Sequence, residues 1–551
     1  MIKNIFSNIA NNQKLCLFLI FALFFSIFSL IQFSSFNLAG IDPYYHIKYA
    51  ELYRTLGIKE TLNNFNVGKY TILNQYPTDL SFFYHILLIP FTFGNLIIGS
   101  KFSAILFASL IFTAFYWVLK KFEIKYSFFW TLLLFAASSA FIFRLILPRA
   151  FVLSILLLIL DFYLIIKKKY IWLFVLSIFY ALTYTASPLI LVIGFIYVFI
   201  EYFQTKKFDW KLLIYPAAGI LIGLIIRPDF PQNFYIIFAQ NFYVLFYKLK
   251  GVRLNIGAEL YPISASLKTN FILLLLFDLG LAFLFVDFIG QRIKKDGLSL
   301  IRLYAFLLAI FFGFLTFISH RFFEYWTPFT LLFAAFSFKY ISENKYWRSL
   351  TAEFLKIARV WPRLKLFIFF IFCLMLIYSG YINASGAITS LKETDFPFDK
   401  YQGAGEWLKK NTSPGSIVFN ASWDNFPQLF FYAHQNYYLV GMDPTFMYLY
   451  DQKLYWFWRN ITEQGIICSQ PGNECRASAY SEKLSQRREA LYKLLKNQFQ
   501  SEYIFIDNRK FDEQSRQHQI FKKIIEDSSL FEKTYQDEKY LEVMIFQLKD
   551  K

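Results

Sequence analysis

Charge is scarce in this chain. Of 551 residues only 17% are Asp, Glu, Lys or Arg, against 57% hydrophobic and 22% aromatic, and the mean hydropathy is +0.41. So little charge cannot cover a water-facing surface, so a soluble globular protein is excluded and lipid is implied as solvent. Acids are the scarcer sign, 38 against 56 Lys and Arg, for a net charge of +18. That excess could suggest nucleic acid. The bases come instead in short clusters between apolar runs, as in the cytoplasmic loops of membrane proteins, and no nucleic-acid partner is expected. Cysteine is almost absent: Cys16 and Cys373 lie in apolar runs, and Cys468 and Cys475 lack metal-ligand spacing. The last two either close a small disulfide loop on an oxidising, extracytoplasmic side or remain two thiols. A small-residue cleavage site is missing after the first apolar run, which is also too long for a signal peptide and reads as an uncleaved span. The 71 Phe reflect a compositional habit and carry no functional reading.

What is present is a series of apolar runs near 15–35, 102–119, 128–147, 150–166, 171–184, 187–203, 211–226, 270–290, 300–318, 324–341 and 366–383. They predict a polytopic α-helical membrane protein with about 11 to 13 transmembrane helices. Lys120, Lys121 and Lys125, then Lys167–Lys169, Lys206, Lys207 and Lys211, then Arg292, Lys294 and Lys295, and the basic stretch from Lys339 to Lys365 all fall on one side. The positive-inside rule makes that side, and the N-terminus, cytoplasmic, giving a multi-pass protein of the cytoplasmic (inner) membrane. Counting 80–98 as a further span would break this charge pattern, so that segment, with His85 and Pro90, reads as a half-helix in the outer leaflet. Loops 36–100 and 227–269 and everything after about 384 then face outward. The chain divides into a membrane domain, 1–383, and an extracytoplasmic α/β domain, 384–551, where a helix around Trp407, a strand at 416–420, a helix at 485–499 and a strand at 503–507 are expected.

Chemistry-bearing residues gather on the outer side. Asp42-Pro43 follows the first span, with His46 four residues on and therefore on the same helical face. The second outer loop carries Asn255 to Pro262, including Glu259, a later outer corner runs from Ser319 to Trp326 around Arg321, and the C-terminal domain carries Trp423-Asp424 just after its first strand. Carboxyl ends of strands in open α/β sheets collect ligand contacts, although, taken alone, Trp423-Asp424 are better explained as an indole in the core and a helix cap.

This order resembles the catalytic subunit of oligosaccharyltransferase, within the C-type (GT-C) glycosyltransferases: Asp-Pro in the first outer loop, Ala258-Glu259-x-x-Pro262, Arg321 ahead of Trp326 and Pro328, and Trp423-Asp424. Tyr76-Pro77 and its amphipathic continuation are also similar to the juxtamembrane element of lipid A aminoarabinose transferases and protein O-mannosyltransferases. The resemblance implies transfer of a sugar or oligosaccharide from a polyprenyl phosphate or diphosphate to a protein, lipid or glycan acceptor on the outer face. It implies Asp42 and Glu259 as catalytic acids, Arg321, Arg149 and His46 as holders of donor phosphate, and Trp423 and Asp424 as acceptor contacts. A divalent cation, Mn²⁺ or Mg²⁺, would bind Asp42 and Glu259. Departures leave an alternative open: where the family brings further acids, this chain has Arg144-Leu-Ile-Leu-Pro-Arg149, so two arginines could hold phosphate without metal. The family's Trp-Trp-Asp-Tyr-Gly peptide-reading motif is reduced to Ser422-Trp423-Asp424-Asn425-Phe426. A surface polysaccharide polymerase or ligase is the nearest other reading, and a lipid or solute transporter using Asp161, Asp278 and Asp287 a more distant one.

Overall fold

The computed structural model describes residues 12–64, 68–243, 246–247, 250–252, 254, 257–261, 270–289, 297–344, 346–347, 349, 362–476, 483–507, 521–526 and 529–549. Asn255, Ile256, Pro262, Arg292, Lys294, Lys295, Lys345, Arg348, Lys356 and Arg359, all used in the sequence reading, lie outside them. The chain forms two compact units.

The first unit draws on Met1–Ser35, Lys101–Ile226 and Ala258–Glu393 and is helical. Every apolar run read from the sequence is helical here, one of them as two helices. Among the described residues of the whole chain, five helices are long and apolar enough to cross a membrane: Gln13–Gln32, Leu96–Lys121, Phe271–Ile289, Ser299–Ile318 and Phe370–Lys392. A bent pair makes six, and Phe151–Ile166, Tyr170–Thr183, Leu189–Thr205 and Lys211–Ile225 are shorter apolar helices. The protein is thus a multi-pass membrane protein, with fewer full-length spans among its described residues than the runs suggest. Leu30, Phe288, Leu366 and Tyr381 are each at least 69% exposed, a surface that only lipid tolerates at this density. Helices pack through small residues. Gly219 and Gly223 of Lys211–Ile225 face Tyr170–Thr183 so closely that a Cβ at Gly219 would lie 2.4 Å from the Phe174 carbonyl oxygen, the close approach that G-x-x-x-G spacing permits.

The expected span at 128–147 needs correction. It breaks into Ser127–Ala136 and Ser139–Leu145, bent by 90°. Ser138 causes the break: its hydroxyl caps the Phe141 amide at 3.1 Å, offering the backbone an alternative to a continuous helix. The carbonyls this frees are satisfied inside protein, Ala136 by Ser379 Oγ (2.7 Å) and by Asn383 Nδ2 (3.1 Å), and Phe135 by the same Asn383 amide (3.0 Å). Broken helices survive in hydrocarbon only when so compensated.

The second unit combines Phe36–Ser100, Arg227–Gly257 and Thr394–Lys551. Its sheet has the order β2-β1-β3-β5-β4, from β1 (Ile417–Asn420), β2 (Tyr437–Tyr438), β3 (Tyr503–Asp507), β4 (Phe531–Gln536) and β5 (Val543–Leu548). β1 pairs parallel with β2 and β3, while β5 runs antiparallel between β3 and β4. Phe419, Leu439, Trp458, Ile504, Phe521 and Met544 form its core. The segment Phe36–Ser100, expected to face outward, belongs to this body: the Lys69 amide donates to the Tyr438 carbonyl at 2.8 Å, and the Phe398 amide to Asn37 Oδ1 at 3.0 Å. Cys468 and Cys475 are joined in a disulfide, so the first of the two sequence alternatives holds. The expected half-helix at 80–98 resolves into a short helix, Phe82–Leu88, a 3₁₀ turn, Ile89–Thr92, and the start of the Leu96–Lys121 helix.

Candidate active site

In the first unit five charged residues converge. Arg144 ends the short Ser139–Leu145 helix, a position fixed by the Ser138 break. Arg149 lies in the turn before Phe151–Ile166, Glu259 in a one-turn 3₁₀ helix, Ala258–Leu260, and Arg321 in another, His320–Phe322, that leads into Phe323–Glu343 with Glu324 in its first turn. The two turns are tied together, Ser319 Oγ donating to the Glu259 carbonyl at 3.1 Å and the His320 amide to the Tyr261 carbonyl at 3.0 Å. Arg144 donates from Nε and Nη2 to Glu324 Oε2 at 2.9 and 2.6 Å and from Nη1 to Glu259. Arg149 reaches the same Glu259 carboxylate by longer bonds of 3.2 and 3.4 Å. Arg321 donates to the Tyr184 hydroxyl, and the Arg144 guanidinium lies 3.8 Å over the Phe151 ring.

Three guanidiniums against two carboxylates leave one net positive charge. Burial by itself would raise the Glu259 carboxyl, but Arg149, Arg144 and Arg321 hold it well below the usual carboxylate range. Burial works against charge on Arg321 too, and Tyr184, Glu259 and Glu324 more than offset it. Such a cluster favours an anion with several oxygens, because forked donors match phosphate geometry. It does not suit a divalent cation. Both Glu259 oxygens accept from arginines, and no group of three or more His, Cys, Asp or Glu able to hold a metal ion occurs among the described residues.

The other expected residues lie in the second unit. Asp42 opens the Asp42–Leu56 helix with Pro43 beside it, and His46 follows one turn on, as its spacing predicts. His46 was expected to bind phosphate, yet its Nδ1 is 2.7 Å from His85 Nε2, and His85 Nδ1 is 2.6 Å from Asp79 Oδ2. A carboxylate only accepts, so His85 donates from Nδ1. Asp79 also accepts from the Tyr53 hydroxyl at 2.7 Å and the Ser81 amide at 2.9 Å, while its own amide donates to Asp229 Oδ2 at 3.2 Å. Arg227 pairs with Asp229 at 2.6 Å and donates to the Asp79 carbonyl. Burial would raise the Asp79 carboxyl, but His85, the Ser81 amide and Tyr53 bring it below its ordinary value. Trp423 packs on the C-terminal core. Asp424 sits in the one-turn helix Trp423–Asn425, whose N-cap is Ser422, not Asp424. The sequon-like Asn420 and Asn460 are buried and spend their amides within the fold.

No protein-family model matches this sequence, and no curated protein does. Solved structures do. The apo Archaeoglobus fulgidus oligosaccharyltransferase superposes with a TM-score of 0.58 at 13% identity, over 89% of this chain and 69% of that one. The same enzyme tethered through a disulfide bond to an acceptor peptide with the NVT sequon gives 0.56 at 12% identity, over 90% and 69%. ArnT from Cupriavidus metallidurans, bound to undecaprenyl phosphate, gives 0.51 at 12% identity, over 96% and 97%. The fold is the one seen in these two solved enzymes. In this fold the arginine cluster joins helix ends and turns 177 residues apart in sequence, from Arg144 to Arg321. Sequence reasoning named Arg149, Glu259 and Arg321 but gave no role to Arg144's partner Glu324, and it missed Asp79, Arg227 and Asp229. The only signals for those were an acid two residues after Pro77 and the triplet Arg227-Pro228-Asp229 at the end of an apolar run. Among the acids in the predicted spans, Asp287 pairs with Arg302 at 2.6 Å and accepts from Trp347 Nε1 at 2.7 Å.

Proposed function

We propose that this protein is a membrane glycosyltransferase that takes a sugar or oligosaccharide from a polyprenyl phosphate or diphosphate and passes it to an acceptor on the outer membrane face. The observation that carries the reading is the cationic corner of Arg144, Arg149 and Arg321 with its single excess positive charge, on a fold in which ArnT binds undecaprenyl phosphate. In the reaction the acceptor nucleophile bonds to the anomeric carbon, the bond from that carbon to the phosphate oxygen breaks, and polyprenyl phosphate, or polyprenyl diphosphate from a diphosphate donor, leaves with the electron pair. Arg321 and Arg149 take up the charge that develops on the leaving oxygen, the term that usually dominates such catalysis. Asp42 is the base that receives the acceptor's proton. Glu259 is a counter-ion to the arginines, displaced by donor phosphate. Trp423 and Asp424 contact the acceptor, the N-terminus is cytoplasmic and the sheet-bearing unit is extracytoplasmic.

The test is incubation of the purified protein in nanodiscs with a panel of undecaprenyl-linked sugars and protein, lipid and glycan acceptors, with Mn²⁺, with Mg²⁺ and with chelator. Release of undecaprenyl phosphate or diphosphate, according to the donor, that survives chelation and disappears in Asp42→Ala is expected. A wild-type protein silent with every donor, or an Asp42→Ala variant with full release, overturns the reading.

A further inference from the structure

The second unit holds a cavity of about 610 Å³ that the transfer reading does not use. Its walls are the Lys250–Val252 segment, Tyr448, one stripe of the Gln452–Gln464 helix and the Pro471–Glu474 turn inside the disulfide loop. The stripe is Trp456, Arg459, Asn460, Glu463 and Gln464, spaced i, i+3, i+4, i+7 and i+8 and therefore one helix face. The intervening Tyr455, Trp458 and Ile461 go to the core.

Three properties define what such a cavity takes. Its lining is polar but balanced, Lys250 and Arg459 against Glu463 and Glu474, so it selects neither anions nor cations. The stripe is made of flat groups that donate and accept in fixed planes: an indole, a guanidinium, two carboxamides and a carboxylate. It is also built rigidly. Asn460 Nδ2 donates to the carbonyls of Cys468 (2.8 Å) and Gln470 (2.7 Å), pinning the disulfide loop to the helix. Arg459 is fixed by Glu463 at 2.9 Å and lies 5.4 Å over the Trp456 ring, and Asp451 caps the helix start at 2.7 and 3.1 Å. Donors oriented in advance lose little freedom on binding. The volume falls in the small-ligand range. The polar lining rejects lipid chains, and among the described residues no strand residue borders the cavity to accept a peptide as an added strand.

We propose that this cavity binds neutral saccharide, as a recognition pocket separate from the transfer site. A ring rich in hydroxyls offers the matching alternation of donors and acceptors around a body small enough to enter. The inference stands on the lining and not on the transfer reaction.

The test uses the full-length protein in nanodiscs, with chitotriose, mannotriose, maltotriose and cellotriose as probes, read by saturation-transfer NMR and calorimetry. At least one probe should bind saturably and without salt dependence, at least tenfold more weakly in Glu463→Ala and in Gln464→Ala, and not at all in Asn473→Trp, which alters only an exposed loop residue. Asp42→Ala should bind as wild type. That result with no transfer activity anywhere would remove the transfer reading and keep this one. Absence of binding by all four probes, binding unchanged in Asn473→Trp, or displacement of the sugar by an Asn-Val-Thr peptide would overturn the proposal.

Discussion

Replacing Glu259 by Gln separates a counter-ion from a metal ligand. In the structure its carboxylate accepts from Arg149 at 3.2 and 3.4 Å and from Arg144, and Arg144 keeps Glu324 at 2.6 Å when Glu259 is neutralised. A phosphate arriving at Arg149 must displace this carboxylate. A unit-charge pair near 4 Å contributes on the order of 4 kcal/mol at an effective dielectric of 20. The Arg149 and Glu259 side chains are 24% and 25% exposed, so screening reduces the competition to about 1–2 kcal/mol. Undecaprenyl phosphate should therefore bind Glu259→Gln about 5- to 30-fold more tightly than wild type, measured by native mass spectrometry or calorimetry in nanodiscs. Turnover need not rise, since tighter ground-state binding does not lower the barrier. Because the carboxyl is held well below its usual range by the three arginines, although burial opposes this, the counter-ion stays ionised. Wild-type affinity should then not vary with this group between pH 5 and 8. Equal or weaker binding in Glu259→Gln, or binding that returns only with Mn²⁺ or Mg²⁺, would refute the counter-ion role.

Three further outcomes follow from packing and hydrogen bonding. Gly219→Leu would press a side chain onto the Phe174 carbonyl and the Ser177 Cβ, 2.4 and 2.9 Å from the new Cβ, and should cost about 1–3 kcal/mol in detergent unfolding, whereas Gly386→Ala, with open space around it, should be neutral or better. Asn420→Ala removes an amide that accepts from the Leu439 and Val440 amides at 3.0 and 3.2 Å and donates to the Ser422 and Val440 carbonyls at 2.8 and 2.7 Å; a loss of about 3–5 kcal/mol is expected, visible as a lower melting temperature of the sheet-bearing unit. The Asp79 carboxyl is lowered by His85, the Ser81 amide and Tyr53 against the effect of burial, so its stabilisation is present above the unfolded value of about 3.9 and lost as pH falls through the folded one. An acid titration of stability should show that loss in wild type and not in Asp79→Asn.

The helices were legible because crossing hydrocarbon demands a long apolar run, a property of local composition. What failed was local too. Ala137-Ser138 reads as an unremarkable pair inside the 128–147 run, and the 90° break there depends on Ser379 and Asn383, some 240 residues away, to satisfy the freed carbonyls. Arg149, Glu259 and Arg321 were found through the order of short motifs, whereas the His46–His85–Asp79 chain joins two helices and a turn by pairings with no periodicity to reveal them.

The same limit explains why roles were harder to read than the fold. Sequence marks Glu259 as an acid in an outer loop, which fits a cation ligand, a base or a counter-ion. Only the three guanidiniums around it distinguish these, because in a poorly screened corner the sign of the surrounding charge decides which ion can enter. One carboxylate engaged by two arginines, with a third arginine nearby, attracts an anion and resists a divalent metal. A fold-level likeness therefore transfers the architecture while leaving the local charge, and with it the kind of ion the corner attracts, to be read from Arg144, Arg149 and Arg321 themselves.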